Sequence, residues 1–281
     1  MSETIITYEP DNSLKKGYLS IFSEIFDELK KNRWLTYQLF KRDFLAVYKQ
    51  SFIGSFWALI IPLISVGSFI MLNRSGIFSI GDINVPYPIY AILGMAFWQL
   101  FSTGLLASAN SLVAAGTMIT KINFSKKSLV IASLGRSIVS FLIQFVLVAL
   151  LFICYGIVPS AAILLIPIII IPILLLTLGL GFILSVVNGV VRDIGNILGV
   201  LLTFLMFLTP VLYARPTIGI LARASNYNPL YYLVSVPRDL VLTGTSSELN
   251  GFFITGIISI IIFMVCLIIF HLTETRVAER I

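Results

Sequence analysis

One histidine, two cysteines and thirteen carboxylates are the main supply of catalytic side chains in 281 residues. His271 stands alone, which excludes the HExxH zinc pattern and most proton relays built on histidine, and its place at the end of an apolar run suits an interfacial position. Cys154 and Cys266 lie inside apolar runs without CxxC spacing, so they read as packed or lipid-facing hydrophobes rather than metal ligands or reactive thiolates. Asp82, Asp193 and Asp239 are isolated from one another, a poor arrangement for the metal-binding or proton-donating carboxylates of a membrane glycosyltransferase or hydrolase. The glycine spacing of a phosphate-cradling loop occurs only at Gly76/Gly81 and Gly251/Gly256, where Asp82 and Ile257 follow instead of lysine. No catalytic residue, metal ligand or bound cofactor is expected, and the chain has no phosphate loop with which to hydrolyse ATP.

The elements that would position any chemistry are membrane spans. The chain is 58% hydrophobic and 11% charged, with a mean hydropathy of +1.01, whereas about a quarter of residues in soluble domains are charged. This composition is that of an integral membrane protein, and the fold class expected for it is all-α. A formal charge of +6 and a pI near 9.3 would suit nucleic-acid binding only if the basic residues clustered on a polar, foldable surface; membrane topology accounts for them better, and no nucleic-acid partner is expected. Residues 50–73, 83–120, 137–191, 194–214 and 249–270 contain no Asp, Glu, Lys, Arg or His. A helix needs about 20 apolar residues to cross a hydrocarbon core of roughly 30 Å. The gap 137–191 must therefore hold two spans, divided at "YGIVPS", where Gly156 and Pro159 supply turn chemistry. Six spans follow, over residues 54–72, 87–109, 132–155, 161–187, 195–213 and 250–271.

Lys and Arg concentrate on the cytoplasmic side of bacterial membrane proteins. With the N-terminus inside, fifteen of the nineteen basic residues fall in cytoplasmic segments, and the outer loops keep only Arg74, Arg215, Arg223 and Arg238. Both termini are therefore expected in the cytoplasm. The opening "MSETIITYEPDNSLKKGYLS" lacks the basic-then-apolar pattern of a cleavable signal peptide. Residues 1–53 form a cytoplasmic segment, 54–271 the six-span domain with a large outer loop at 214–249, and 272–281 a cytoplasmic tail.

Within the first segment, "GYLSIFSEIFDELKK" puts Tyr18, Ile21, Phe22, Ile25, Phe26 and Leu29 on one helical face and Ser20, Ser23, Glu24, Asp27 and Glu28 on the other. That pattern predicts an amphipathic helix over 18–31, lying along the membrane surface or packed on a soluble partner. The next stretch, "NRWLTYQLFKRDFLAVYKQ", adds Trp34, Tyr37 and Tyr48 as interfacial anchors. Pro62, Pro167, Pro172, Gly179, Gly181 and Pro210 predict bends and close packing within the spans. No charged residue lies deep in a span, which argues against an ion-coupled transporter; an uncharged interior rich in aromatics suits a large amphiphile. The outer loop contains "NPLYYLVSVPRDLVLTG", too interrupted to span. Asn228 caps and Pro229 opens a helix, Pro237 is expected to break it, and a second short turn ends at Gly244. With "TIGILARA" at 217–224, it reads as a pair of re-entrant helices buried against protein at the outer leaflet.

Four stretches together resemble the membrane-spanning subunits of bacterial ABC exporters of lipid-linked polysaccharide, the family of O-antigen, capsule and teichoic-acid exporters. They are "KRDFLAVYKQSFIGSFWALIIP" (Lys41 to Pro62), "PYPIYAILGMAFWQLF" (Pro86 to Phe101), "NSLVAAGTMITKINFSKKSL" (Asn110 to Leu129) and the outer-loop stretch from Asn228. Ile53 stands where the family has leucine before its glycine, and Ser125 where it commonly has proline. The resemblance runs from about Trp34 to Ile281, and it rests on the order and spacing of the four stretches.

The resemblance implies a homodimer of this chain in the bacterial inner membrane with two copies of a separate ATPase, which would bind the ATP and Mg. The substrate it implies is a polyprenyl-diphosphate-linked glycan, O-antigen first, with teichoic acid, capsule or a smaller cargo such as a drug or lipo-oligosaccharide as alternatives. The segment from Gly116 to Lys127 would dock the ATPase through Gly116, Thr117, Thr120, Lys121, Asn123 and Phe124, or would simply be a basic loop obeying topology. Arg42, Lys49 and Arg192 are candidates for the lipid diphosphate, with an Arg192–Asp193 pair as the alternative. Phe97, Trp98, Phe101, Phe204, Phe207 and Tyr213 would line the channel, where sugar C–H faces stack on aromatic rings; helix packing or lipid contact is the other reading. Asn228, Pro229, Tyr231, Tyr232, Arg238 and Asp239 would form the outer gate, Arg238 and Asp239 either pairing with each other or touching the glycan.

Overall fold

Prolines and glycines punctuate the apolar runs where chain geometry demands it, and the helices between them build one bundle. The computed structural model describes residues 18–49, 56–76, 81, 83, 85–119, 125–215 and 219–277, and every regular element among them is helical. In chain order these are α1 (Tyr18–Lys31), α2 (Arg33–Lys49), α3 (Trp57–Arg74), α4 (Tyr87–Ala114), α5 (Gly116–Ile119), α6 (Lys126–Tyr155), a 3-10 turn (Ala161–Leu165), α7 (Ile166–Ile169), α8 (Ile171–Val190), α9 (Ile194–Leu208), α10 (Ile220–Tyr227), α11 (Pro229–Thr243) and α12 (Leu249–Val277).

Four helical stretches are long and apolar enough to cross a membrane: Tyr87–Ala114, Lys126–Tyr155, Ala161–Val190 and Leu249–Glu274. The break expected at "YGIVPS" is there. Gly156 adopts φ 64° and caps α6 in the left-handed region, which glycine reaches without steric cost, and the Ser160 hydroxyl accepts from the Ala162 amide to start the next run. Pro167 and Pro172 each sit in a first helical turn, where a missing N–H costs nothing, so they segment this run without ending it. The other two expected spans coincide with shorter apolar helices, Leu59–Arg74 and Ile194–Leu208. At 1.5 Å per residue, α9 reaches only about 22 Å, short of the roughly 30 Å core.

The centre belongs to α4. It is apolar all round, the mark of a fully enclosed helix, and Ile89, Ala91, Leu93, Phe97, Leu100 and Leu112 have essentially no exposed surface. It packs on α6 and α8, and α8 packs on α12. Small residues let these backbones approach, as expected where no water drives helices together. A Cβ on Gly104 would lie 2.8 Å from Leu134 and Ser137, one on Gly181 2.6 Å from Ser108, and one on Gly179 2.8 Å from the Phe263 backbone. The outer helices keep broad apolar faces, Ile153 on α6 and Leu164 before α7 among the most exposed.

A second apolar cluster forms at the end of the bundle that gathers most of the basic residues. Ile25 of α1 and Leu39 of α2 join Leu112, Leu129, Phe182, Leu267 and Phe270 there. The helix expected over 18–31 is α1, with Ile25 inward and Phe26 exposed.

Candidate functional site

The two ends of the bundle are built from different chemistry. At the basic end, Lys127 stands in the first turn of α6 with no exposed surface at all. Its Nζ donates to Glu28 Oε2 of α1 at 2.8 Å and to Glu274 Oε1 of α12 at 2.7 Å, and neighbouring Lys126 Nζ donates to the Glu274 carbonyl at 2.7 Å. Burial alone would raise the Glu28 carboxyl, but the hydrogen bond and charge of Lys127, helped by Ser125 and His271, hold it below its ordinary value. His271, expected at the interface, stands in this cluster: ligand atoms of Glu28, His271 and Glu274 lie within 4.8 Å of one another. The Lys127 ammonium bridges the two carboxylates, so the donor set fits a buried lysine better than a metal ion.

The proposed docking residues are described only in part. Gly116 starts the short helix α5; Thr120, Lys121, Asn123 and Phe124, and the side chain of Thr117, lie outside the described residues, as does the Lys49 side chain. Arg42 meets this segment, with Nη1 3.3 Å from Met118 Sδ, and its Nε donates to Asp43 Oδ1 at 2.9 Å. Arg192 is not gathered to it. It sits exposed in the turn between α8 and α9, where no ion pair joins it to Asp193 among the described residues. That turn is held instead by Asn188, whose amide donates to Ala109 O at 3.1 Å and Asn110 Oδ1 at 2.9 Å and accepts from Gly195 N at 2.9 Å.

At the opposite end α9 gives way to an irregular stretch, Thr209 to Arg215, laced to the start of α4. Tyr87 and Tyr90 hydroxyls donate to the Leu212 and Tyr213 carbonyls at 2.9 and 3.2 Å. Arg238 is buried beneath it, 3% exposed. Its Nη1 donates to the carbonyls of Pro210 and Val211 at 3.1 Å each, and its guanidinium stacks on Tyr90, 3.8 Å from the ring centroid. Asp239 comes within 3.5 Å of Nε, yet Nε makes no hydrogen bond, so the expected pair is the weakest of the three contacts. Hydrogen bonds from a charged donor are worth more than neutral ones, which makes Arg238 a strap across the 209–215 stretch, α4 and α11.

α10 and α11 cap this end. Asn228 accepts from Leu230 N at 3.0 Å and donates to Thr209 Oγ1 at 2.8 Å, with Pro229 in the first turn. α11 then runs unbroken to Thr243, with Pro237 buried inside it, which corrects the break expected there. A proline is accommodated within a helix when surrounding protein re-satisfies the backbone, and α11 is packed on α4 and α12. Tyr231 is buried beside Arg215, which also pairs with Glu248 of the α11–α12 connection. Tyr232 donates to Asn226 O at 3.0 Å.

The aromatics divide sharply. Phe97, Trp98 and Phe101 are buried within the subunit at 0, 4 and 2% exposure and Tyr213 is buried at 6%, whereas Phe204 and Phe207 on α9 are 63 and 49% exposed. Of these six expected channel aromatics, Phe204 and Phe207 alone are exposed on the outside of the chain. Sequence reasoning missed the Lys127 cluster, Asn188, the tyrosines Tyr87 and Tyr90, and the Arg215–Glu248 pair. Tyr87 and Tyr90 carried a signal, two hydroxyls three residues apart at a helix start, hence on one face; the ion-pair partners carried none.

The close fit at this end makes a prediction. A Cβ on Gly94 would lie 2.5 Å from Val211 O and 3.3 Å from Arg238 Nη1. Gly94→Ala should therefore push the 209–213 stretch off α4, at a cost of about 1–3 kcal/mol, while Gly67→Ala, with nothing within 4 Å, should be neutral; thermal unfolding in detergent compares them.

Comparison with known proteins gives a consistent picture. A model of the family described as ABC-2 type transporter matches residues 35–242. An O-antigen export system permease protein RfbA of Myxococcus xanthus is 29% identical over 192 residues, 68% of this chain and 72% of that protein. Two proteins of the same name from Klebsiella pneumoniae are 27% and 29% identical over 243 and 244 residues, each comparison covering 85% of this chain and 91% of the relative.

Proposed function

The chain belongs to the ABC-2 type transporter family, and from that premise we propose that it is the membrane-spanning subunit of an ATP-driven exporter of lipid-linked polysaccharide, O-antigen first. The observation that carries this reading is the family match across the bundle, together with relatives over most of the chain that are named O-antigen export permeases. The lack of any phosphate-cradling loop in the sequence agrees with a separate ATPase.

In this reading two copies of the chain assemble in the bacterial inner membrane with both termini in the cytoplasm, and six spans are completed by α3 and by α9 together with the irregular stretch that continues it from Thr209. Support for self-association comes from these two short helices, whose Trp57, Ile64, Met71, Ile197, Phe204 and Phe207 leave apolar faces exposed. Phe204 and Phe207 are then the aromatic surface for sugar, and Phe97, Trp98 and Phe101 serve to pack α4. The segment 116–127 docks the ATPase through its residues other than Lys127, which is buried, and Arg42 beside α5 receives the lipid diphosphate. α10 and α11 dip into the outer leaflet as the gate, with Arg238 holding the 209–213 stretch.

Reconstitution tests this. Vesicles carrying the chain with its ATPase subunits, loaded with polyprenyl-diphosphate-linked O-antigen on the ATPase face, should expose glycan to a lectin on the other face only when ATP is added. Exposure without ATP or without the ATPase would sink the reading. Lys121→Glu should reduce copurification of the ATPase about fivefold or more if the segment docks it, and unchanged copurification would remove that role.

A further inference from the structure

The Lys127 cluster joins three elements that the sequence keeps far apart. Glu28 precedes Lys127 by 99 residues and Glu274 follows it by 147. Lys127 is the last residue of the docking segment read at 116–127, but its side chain has no exposed surface, so it cannot itself touch a partner protein. Glu28 and Glu274 side chains are largely covered, at 26 and 14% exposure, and the apolar cluster of Ile25, Leu129, Phe182 and Phe270 lies close by.

Apolar residues of similar volume would hold such a place at least as firmly, because desolvating charges offsets much of their attraction. What a shared ammonium adds is geometry. An apolar contact can slide by an ångström at little cost, whereas two charge-assisted hydrogen bonds at 2.7 and 2.8 Å tie both carboxylates to one atom. When α6 shifts, α1 and the end of α12 must follow, or two carboxylates are left unpaired in a poorly solvated place.

We propose that Lys127 is a positioning residue of the transport cycle: it makes α1 and the end of α12 move as one body with the start of α6 when the ATPase acts on the docking segment that leads into that helix. The inference rests on the docking role given to that segment under the proposed function. Through this joint the ATPase would displace α1, the amphipathic helix, and so work on the surface where an amphiphilic substrate arrives.

The test uses the full transporter in lipid nanodiscs. Removing one member alone strands charge and endangers folding, so the cluster is neutralised together as Lys127→Met, Glu28→Gln and Glu274→Gln, which keeps volume and leaves no buried ion. This variant should keep its melting temperature and its bound ATPase, yet export at least about fivefold less glycan per ATP hydrolysed, the lower range of coupling between sites. Export per ATP equal to wild type would overturn the proposal. A second measurement does not depend on that variant folding. Spin labels at Asp27→Cys on α1 and Arg136→Cys on α6, with Cys154 and Cys266 replaced by alanine, should report one unchanged distance with and without nucleotide. A distance that changes with nucleotide would show that α1 does not travel with α6. Lys121→Glu copurification judges the docking role by itself, so failure of that reading is distinguishable from failure of the joint.

Discussion

Lys127→Met should destabilise the fold by about 3 kcal/mol, the low end for removing one partner of a buried ion cluster, and lower the melting temperature by roughly 6–12 °C. Methionine nearly matches lysine in length and volume, so the loss is not a cavity. It is the stranding of two carboxylates, Glu28 and Glu274, whose hydrogen-bonding cation is gone. The low end is apt because Glu28 is about a quarter exposed and water can relieve part of the penalty. The three-fold neutral variant should melt with wild type, since no charge is left buried. Thermal unfolding of the two side by side is the check, and equal melting of Lys127→Met and wild type would mean that the cluster is hydrated and mechanically slack.

Arg238→Ala carries the other large effect. It strips the donor from the Pro210 and Val211 carbonyls and removes the cation over Tyr90, a loss of about 2–4 kcal/mol. The 209–213 stretch, still held by Tyr87 and Tyr90, should loosen, and surface glycan should fall while ATPase copurification stays intact. Arg238→Lys should not restore export, because an ammonium cannot both stack on a ring and reach two carbonyls. Asp239→Asn should be mild, since the 3.5 Å contact to Nε contributes little. A severe Asp239→Asn with a silent Arg238→Lys would return the weight to the ion pair.

The residue pattern made some of this legible. α1 was readable to its ends because a surface helix alternates polar and apolar faces, and the four long helices were readable from gaps in charge. Gly156 was readable because a chain reversal between apolar runs needs a residue free to enter the left-handed region. The centre of the bundle was not. In a membrane both lipid-facing and protein-facing positions are apolar, so Phe97 on enclosed α4 and Phe204 on exposed α9 look alike in sequence. Pro237 misled for a related reason, because the break rule assumes no neighbours that relieve the backbone. Lys127 was hidden by the topology rule itself, which counts each basic residue as one more cytoplasmic charge and does not ask whether it has partners elsewhere in the chain.

The central claim, that this chain forms the membrane path of a lipid-linked polysaccharide exporter, is tested most directly by deleting its gene in the host and locating the glycan. Finished glycan on its lipid carrier should accumulate on the cytoplasmic face and disappear from the cell surface, and the intact gene supplied in trans should restore it. Surface glycan unchanged by the deletion would contradict the account.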